Sequence, residues 1–444
     1  IRNLPPSVLK KIIDSQFLIG MGVIMEMDEL IELRRYFHQN AEPAWLEFRT
    51  TDKIIQELKD LDIELHYGKE IYFGERLGLA DKKLVESYKK NINLKTKDKC
   101  DEILDSYTGL IAVIRTSRKG ANIGFRFDID ANDLHESDDT DHIPNKKCFR
   151  STNDFSMHAC GHDAHMAIGI AFTKYLAKNK DSLNGNYVVV FQPAEEGVKG
   201  AYALKNNPIF NDLDYFVGMH IGMKVPSGKI VVGSEGMLAT KKFDINFEGL
   251  ASHAGGTPEE GKNALLAASS AVMNFNSLTQ HSKGATRLNV GTLNAGSGRN
   301  IVPNHAELKM EIRGENEDII EFLKVGVERI VKGSALSYDC DYDIKLVGAA
   351  PSLLAYDEDF KENLVNYYKE KGYSVVDGGI YGSEDVAYFL NQVSKNNGKA
   401  MHFILGTNHK AGHHNERFDI VEDDMQRGVN MLIDFVKYIN YGGK

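Results

Sequence analysis

Three apolar runs of strand length, GLIAVI at 109–114, NIGFRFDID at 122–130 and NYVVVFQPAEEG at 186–197, are nearly continuous in hydrophobic residues rather than alternating. A strand reads this way when both of its faces are covered, as in the middle of a parallel sheet flanked by helices. Helix-like stretches separate such runs, AHMAIGIAFTKYLAKNK at 164–180 among them, and this alternation predicts an α/β fold on a mostly parallel sheet. Two further helices are predicted ahead of it. One spans 28–38 with Leu30, Leu33 and Phe37 on one face, the other 49–60 with Ile54, Ile55 and Leu58.

From about residue 238 the order changes to strand KKFDINFEG, helix PEEGKNALLAASSAVMNF, strands TRLNVGTLNA and HAELKMEIRG, helix EDIIEFLKVGVERIVKG and strand DYDIKLVGA. This β-α-β-β-α-β order is that of a ferredoxin-like sandwich, a small domain able to fold around its own core. After Ala350 the earlier style resumes through YGSEDVAYFL and AMHFILGTNH. The predicted organisation is therefore an N-terminal extension at 1–26, a main domain made of 27–237 and 351–444, and an inserted domain at 238–350. A chain of 444 residues is long enough for two cores. The hydrophilic stretch 86–107 is expected to run over the surface.

Net charge narrows the class of partner. With 53 basic and 63 acidic residues the chain carries −10 overall, which argues against binding a phosphate backbone. The apolar run FLIGMGVIM at 17–25 is too short to span a bilayer, so no membrane partner is expected. Cys100, Cys148, Cys160 and Cys340 are scattered rather than closely paired, which fits reduced thiols and a cytoplasmic location.

The residues able to do chemistry collect where apolar runs end, which is where parallel sheets bind ligands. Cys160 and His162 in MHACGHDAH are spaced so that one turn can aim both at a divalent ion, though a buried structural cysteine beside helix-capping histidines would read the same. PAEEG at 193–197 sets Glu195 and Glu196 behind a strongly apolar strand, a costly place for two carboxylates without cations or protons. Because neighbouring side chains diverge, one glutamate could hold a metal while the other acts on a water; a solvated loop is the plainer reading. GMHIG at 218–222 and AGHHNERF at 411–418 add histidines in glycine-flanked turns. Asp128 and Asp130 follow another apolar run.

HACGHDAH, FQPAEEG, GMHIG, ASHAGGTPEEGKNALLAA, AGSGRNIVP, GSEDVAYF and AGHHNERFD, in that order, resemble the metal-dependent amidohydrolase branch of the superfamily that holds aminoacylases, carboxypeptidase G and succinyl-diaminopimelate desuccinylase. The likeness covers about residues 27–440. It implies two divalent ions per subunit, manganese favoured over zinc, cobalt or nickel, held by Cys160 as a bridging thiolate with His162, Glu196, His220 and His414. The branch's His-x-x-x-Phe pattern, counted back from Phe418, selects His414 over His413. Glu195 is implied as the general base that takes a proton from the attacking water and delivers it to the leaving amine.

The resemblance further implies His253, Asn300 and Arg313 as substrate-binding residues, with His253 serving the partner subunit's site in a homodimer formed through the inserted lid/dimerisation domain. Asp128 and Asp130 are expected to orient ligands, Asp163 and Glu384 to line the pocket, and His158 and His165 to be structural, His158 touching the site. The implied reaction cleaves an amide between an acyl or aroyl group and a C-terminal amino acid, p-aminobenzoyl-glutamate to p-aminobenzoate and glutamate foremost. Three alternatives stay open. They are another N-acyl-amino-acid amidohydrolase, Cys160 as a nucleophile paired with a histidine, and a non-catalytic partner in a heteromer with a related second subunit.

Overall fold

Residues 25–90 and 92–442 are described by a computed structural model, so the extension assigned to 1–26 lies outside the described residues except for 25 and 26. Helices α1 (Met27–Gln39) and α2 (Phe48–Leu58) come first, then strands β1 (Glu64–Tyr67), β2 (Leu110–Arg115) and β3 (Asn122–Asp128). Helix α3 (His162–Asn179) leads to β4 (Asn186–Gln192), β5 (Tyr215–Ile221) and β6 (Lys229–Val232). These strands, with β11 and β12 introduced below, form one sheet. A four-stranded unit follows: β7 (Ala239–Glu248), α4 (Ala264–Phe275), β8 (Thr286–Ala295), β9 (His305–Gly314), α5 (Glu317–Ser337) and β10 (Asp341–Ala350). The chain then returns through α6 (Glu358–Glu370), β11 (Ser374–Val375), α7 (Ala387–Lys395), β12 (Lys399–Leu405) and α8 (Asp424–Tyr441).

The large sheet has the order β1-β2-β4-β3-β5-β12-β6-β11. Its centre, β4-β3-β5-β12, is parallel throughout, while β1–β2, β2–β4 and β12–β6 pair antiparallel and β11 runs parallel to β6. The continuous apolar runs have the expected cause. Leu110, Ala112, Phe127, Val189 and Phe191 face α1, α2, α3 and α8 in one core, and Ile111, Val113, Val188, Val190 and Phe216 face α7 in another. Residues 239–350 build an antiparallel sheet of order β10-β7-β9-β8 whose core, including Phe243, Ala268, Leu308, Met310, Leu323 and Val327, is separate from both. Among the described residues no helix is long and apolar enough to cross a membrane.

The stretch 86–107 departs from the expected surface excursion. Leu94 and Ile103 are buried in the main core, and Asp52 of α2 accepts the N–H groups of Lys95 and Thr96 at 2.9 and 2.7 Å. Single apolar residues among lysines leave no periodic trace, which is why the anchoring is invisible in the sequence.

α1 is locked to α3 by charge as well as by packing. Arg34, fully buried, donates to Asp163 and Asp419, each at 2.7 Å, and lies 3.5 Å from Glu422. Removing one member of a buried ion cluster leaves its partners uncompensated, typically at about 3–5 kcal/mol. Arg34→Ala should therefore lower the unfolding free energy in a urea titration by about that amount, and a change below about 0.5 kcal/mol would contradict the role given to this cluster.

Candidate metal centre

β3 and β4 end in register, with Asp128 opposite Gln192. The loop leaving β3 carries Asp130, and the loop leaving β4 carries Glu195 and Glu196. Asp130 accepts the backbone N–H of Glu195 at 2.9 Å on one carboxylate oxygen and that of Glu196 at 2.8 Å on the other. Glu47 of the α1–α2 loop accepts the N–H of Ala194 at 2.8 Å and the hydroxyl of Thr108 at 2.7 Å. Two buried carboxylates thus fix three successive amides, and Ala194 is held at a φ of 52°, a conformation non-glycine residues rarely keep.

Cys160 and His162 flank Gly161 at the start of α3. Gly161 has a φ of 86°, and a Cβ there would come within 2.4 Å of Ile221, so this turn admits only glycine. His162 donates from Nδ1 to the carbonyl of Asp130 at 2.8 Å, and His220, at the end of β5, donates from Nδ1 to the carbonyl of Ile221 at 2.8 Å. Both rings thereby turn Nε2 inward. Fixing one imidazole nitrogen by a backbone carbonyl and presenting the other is the usual preparation of a metal ligand.

The inward atoms converge. Cys160, His162 and His220 form one set with ligand atoms within 4.8 Å of each other, and Cys160, Glu196 and His414 form a second. His162, Glu195 and Glu196 make a third, so the six residues are contiguous and Cys160 belongs to both of the first two sets. The Cys160 thiol lies 3.3 Å from His220 Nε2, and His414 Nε2 lies 3.5 Å from a Glu196 oxygen. His414 has a φ of 61° while its N–H donates to the carbonyl of Ala159 at 2.8 Å, a second strained position at this cluster. His413, by contrast, donates to the carbonyl of Ile221 at 3.1 Å and packs on Phe418.

The donor set fits divalent cations on grounds internal to the structure. His162 Nε2 is buried without a hydrogen-bond partner, an arrangement that costs free energy unless something fills it. Burial and the Glu196 charge push the Cys160 thiol up, so a cation is needed to hold the thiolate. His414 is pushed up to about 10 by its hydrogen bonds to Cys160 and Glu196, which shows how strongly this pair of acidic donors draws positive charge.

Behind the cluster lies an ion network in which only some members carried a sequence signal. Arg126, buried in β3, meets Asp128 at 2.6 Å, Asp385 at 2.9 Å, Glu384 at 3.0 Å and Gln192 at 2.8 Å. Glu195, Glu384 and Asp385 form a further close set. Burial, with repulsion from Glu384, Glu196 and Asp385, pushes the Glu195 carboxyl well above the ordinary range. His165 bridges Asp128 and the N–H of Ile221, which uses both ring nitrogens in structure. His158 is buried with neither nitrogen hydrogen-bonded. Sequence reading missed Glu47, Arg34, His38, Glu136, Asp385 and Arg126; of these only Arg126, a charge inside an apolar strand, offered a signal that could have found it.

Three predicted residues stand apart. His253 and Asn300 are exposed on two segments of the second unit that bond to each other, with Ala254 N–H donating to Asn300 O at 3.0 Å. Arg313 of β9 is held by Glu311 at 3.0 and 3.2 Å, and its Nη1 lies 3.8 Å from where a Cβ on Gly382 would sit, beside the loop bearing Glu384. Of the three, only Arg313 thus lies beside that loop.

Asp163, next to His162, ties the centre to α1. It accepts from His38 Nδ1 at 2.8 Å, while His38 Nε2 meets Glu136 at 3.0 Å. Burial opposes charge on His38, but Glu136 and Asp163 outweigh it and raise the group from 6.5 to about 9. A raised folded value means the stabilisation is complete below about pH 6.5 and fades as pH climbs through 9. Chemical denaturation of the wild type should show that loss between those limits, and His38→Gln should flatten it; an unchanged slope in the variant would contradict a charged His38.

A family model described as Peptidase family M20/M25/M40 matches residues 124–438. The chain is 38% identical over 427 residues to a homolog, from Haemophilus influenzae, of one subunit of p-aminobenzoyl-glutamate hydrolase, covering 93% of this chain and 99% of that one. It is 39% identical to an indole-3-acetyl-aspartic acid hydrolase of Enterobacter agglomerans, covering 91% and 94%. Among solved structures, an aminobenzoyl-glutamate utilization protein from Klebsiella pneumoniae superposes with a TM-score of 0.77 at 31% identity, covering 95% of this chain and 97% of that one.

Proposed function

The chain belongs to peptidase family M20/M25/M40, and on that premise we propose that it hydrolyses the amide between an aromatic acyl group and an acidic amino acid, p-aminobenzoyl-glutamate first among such substrates. The observation that carries this reading is the shared position of Cys160 in two three-residue donor sets, with the Glu195 carboxylate beside them. The substrate class follows from two similar proteins, one named for a glutamate conjugate and the other for an aspartate conjugate.

In this reading Cys160, His162 and His220 hold one divalent ion and Cys160, Glu196 and His414 a second, manganese favoured. When bound, the pair supplies Lewis acidity toward the scissile carbonyl and electrostatic stabilisation of the charge that develops on it. Glu195 does the proton work. Its raised proton affinity suits it to take a proton from the attacking water and pass it to the leaving nitrogen. Asp130 and Glu47 keep that carboxylate in place through the amides of 194–196. Arg313 offers a guanidinium fork to a substrate carboxylate, and Asn300 and His253 serve as donors to the oxyanion.

Residues 27–237 with 351–444 act as the catalytic domain and 238–350 as the lid and dimerisation domain. The exposed position of His253 and Asn300 fits a homodimer in which each lid serves the partner's site. Two of the similar proteins carry names that make them one subunit of a larger hydrolase, which leaves room for a related second chain. Four unpaired cysteines suit the reducing cytoplasm.

A panel of N-aroyl and N-acyl amino acids, assayed with added Mn2+ on the purified chain, tests the activity. Hydrolysis should stop on chelation and return with metal. Glu195→Gln should lower kcat by about 10³-fold or more, at unchanged metal content. Activity that survives chelation but not thiol alkylation would instead make Cys160 a nucleophile.

A further inference from the structure

The turn that carries Glu195 and Glu196 is held from two sides. On the inner side Glu47 and Asp130 accept its amides, and the carbonyl of Glu195 accepts the N–H of Val198 at 2.6 Å. On the outer side it meets the second sheet. Val198 stands at a φ of 59°, and its carbonyl accepts the N–H of Ala349, in β10, at 2.8 Å. An unbroken chain of hydrogen bonds thus runs from Asp130 through Glu195 and Val198 to a strand of the other unit.

β10 is shaped for that meeting. It is an edge of the four-stranded sheet, where outward backbone groups lack a strand partner, and it begins exposed at Asp341 and ends buried over 348–350. Its pairing with β7 shifts register between Leu346 and Gly348, and a bulge of this kind re-aims a strand locally. The close approach needs glycine, because a Cβ on Gly348 would overlap the carbonyl oxygen of Gly197, the residue after Glu196. The same end of β10 shares a row of the sheet with Arg313. Arg313 of β9 stands opposite Thr240 of β7, and Thr240 opposite Ala350, so at strand spacings of about 4.8 Å the backbone of Arg313 lies roughly 10 Å from that of Ala350.

We propose that Gly348 and Ala349 are positioning residues for Glu195, bracing the outer side of its turn so that the placement of the second unit sets where the general base stands. The inference rests on the amidohydrolase reading above. Because Arg313 belongs to the same sheet, a substrate that seats its carboxylate on Arg313 also fixes the strand against which the turn is braced. A misplacement of about 1 Å can cost roughly 10²-fold in rate, so a contact that touches no substrate can still control kcat.

The test follows hydrolysis of p-aminobenzoyl-glutamate, or of the acyl amino acid that wild type cleaves best, at saturating Mn2+ in wild type, Gly348→Ala, Ala349→Pro and Gly333→Ala. Gly348→Ala forces the turn away from β10, and Ala349→Pro removes the N–H at an outward edge position, where proline is tolerated. Gly333, in α5, is the control, since a Cβ there meets nothing within 4 Å. Gly348→Ala and Ala349→Pro should each lower kcat by about 10- to 100-fold with KM changed by less than about threefold, and Gly333→Ala should match wild type. Thermal unfolding checks that each variant folds, and one that does not leaves the other to decide. Wild-type kcat in folded Gly348→Ala or Ala349→Pro, or a loss confined to KM, would overturn the positioning role while leaving the hydrolase reading standing. A wild type that, loaded with Mn2+, cleaves no acyl amino acid would overturn the hydrolase reading and this inference with it.

Discussion

Acidic groups crowded at the ends of two parallel strands govern this structure. Asp128, Asp130, Glu195, Glu196, Glu384 and Asp385 are brought together beneath and around one cysteine and three histidines, mostly out of water. Buried carboxylates repel one another and lose hydration, so a cluster of this kind exists only if positive charge or N–H donors are supplied. The protein meets part of that demand itself. Arg126 faces Asp128, Glu384 and Asp385, and backbone amides of the PAEEG turn face Asp130. The thiol of Cys160, Nε2 of His162 and the carboxylate of Glu196, which lies 3.5 Å from His414, remain, and their ligand atoms lie close together.

The same demand shapes the surroundings. α1 contributes no ligand, yet Arg34 and His38 anchor Asp163, the residue that follows His162 at the start of α3. Glu47, before α2, anchors the turn that carries Glu195. Helices at the beginning of the chain therefore act on the geometry of the centre through hydrogen bonds and ion pairs, at positions where a sequence reading finds only an amphipathic surface.

Glu195, Glu196 and His220 were legible because they are costly residues in places where a strand has just delivered them to the interior, whereas Cys160 and His162, at the start of α3, showed themselves by their spacing alone. The β-α-β-β-α-β order of 238–350 was legible because periodicity switches from continuous to alternating, as one face of an antiparallel sheet is covered by α4 and α5. Asp385 and Glu136 were not legible, since Asp385 meets Arg126, 259 residues away in sequence, and Glu136 meets His38, 98 residues away. Leu94 and Ile103 escaped for another reason, being lone apolar residues in a lysine-rich stretch.

A thiolate shared between two cations is the central claim. Metal analysis of the purified chain, combined with X-ray absorption at the metal edge, measures this directly. The expected result is two divalent ions per chain, each with a sulfur neighbour, and loss of that sulfur signal with reduced occupancy in Cys160→Ser. One ion per chain, or two ions with no sulfur in their surroundings, would contradict it.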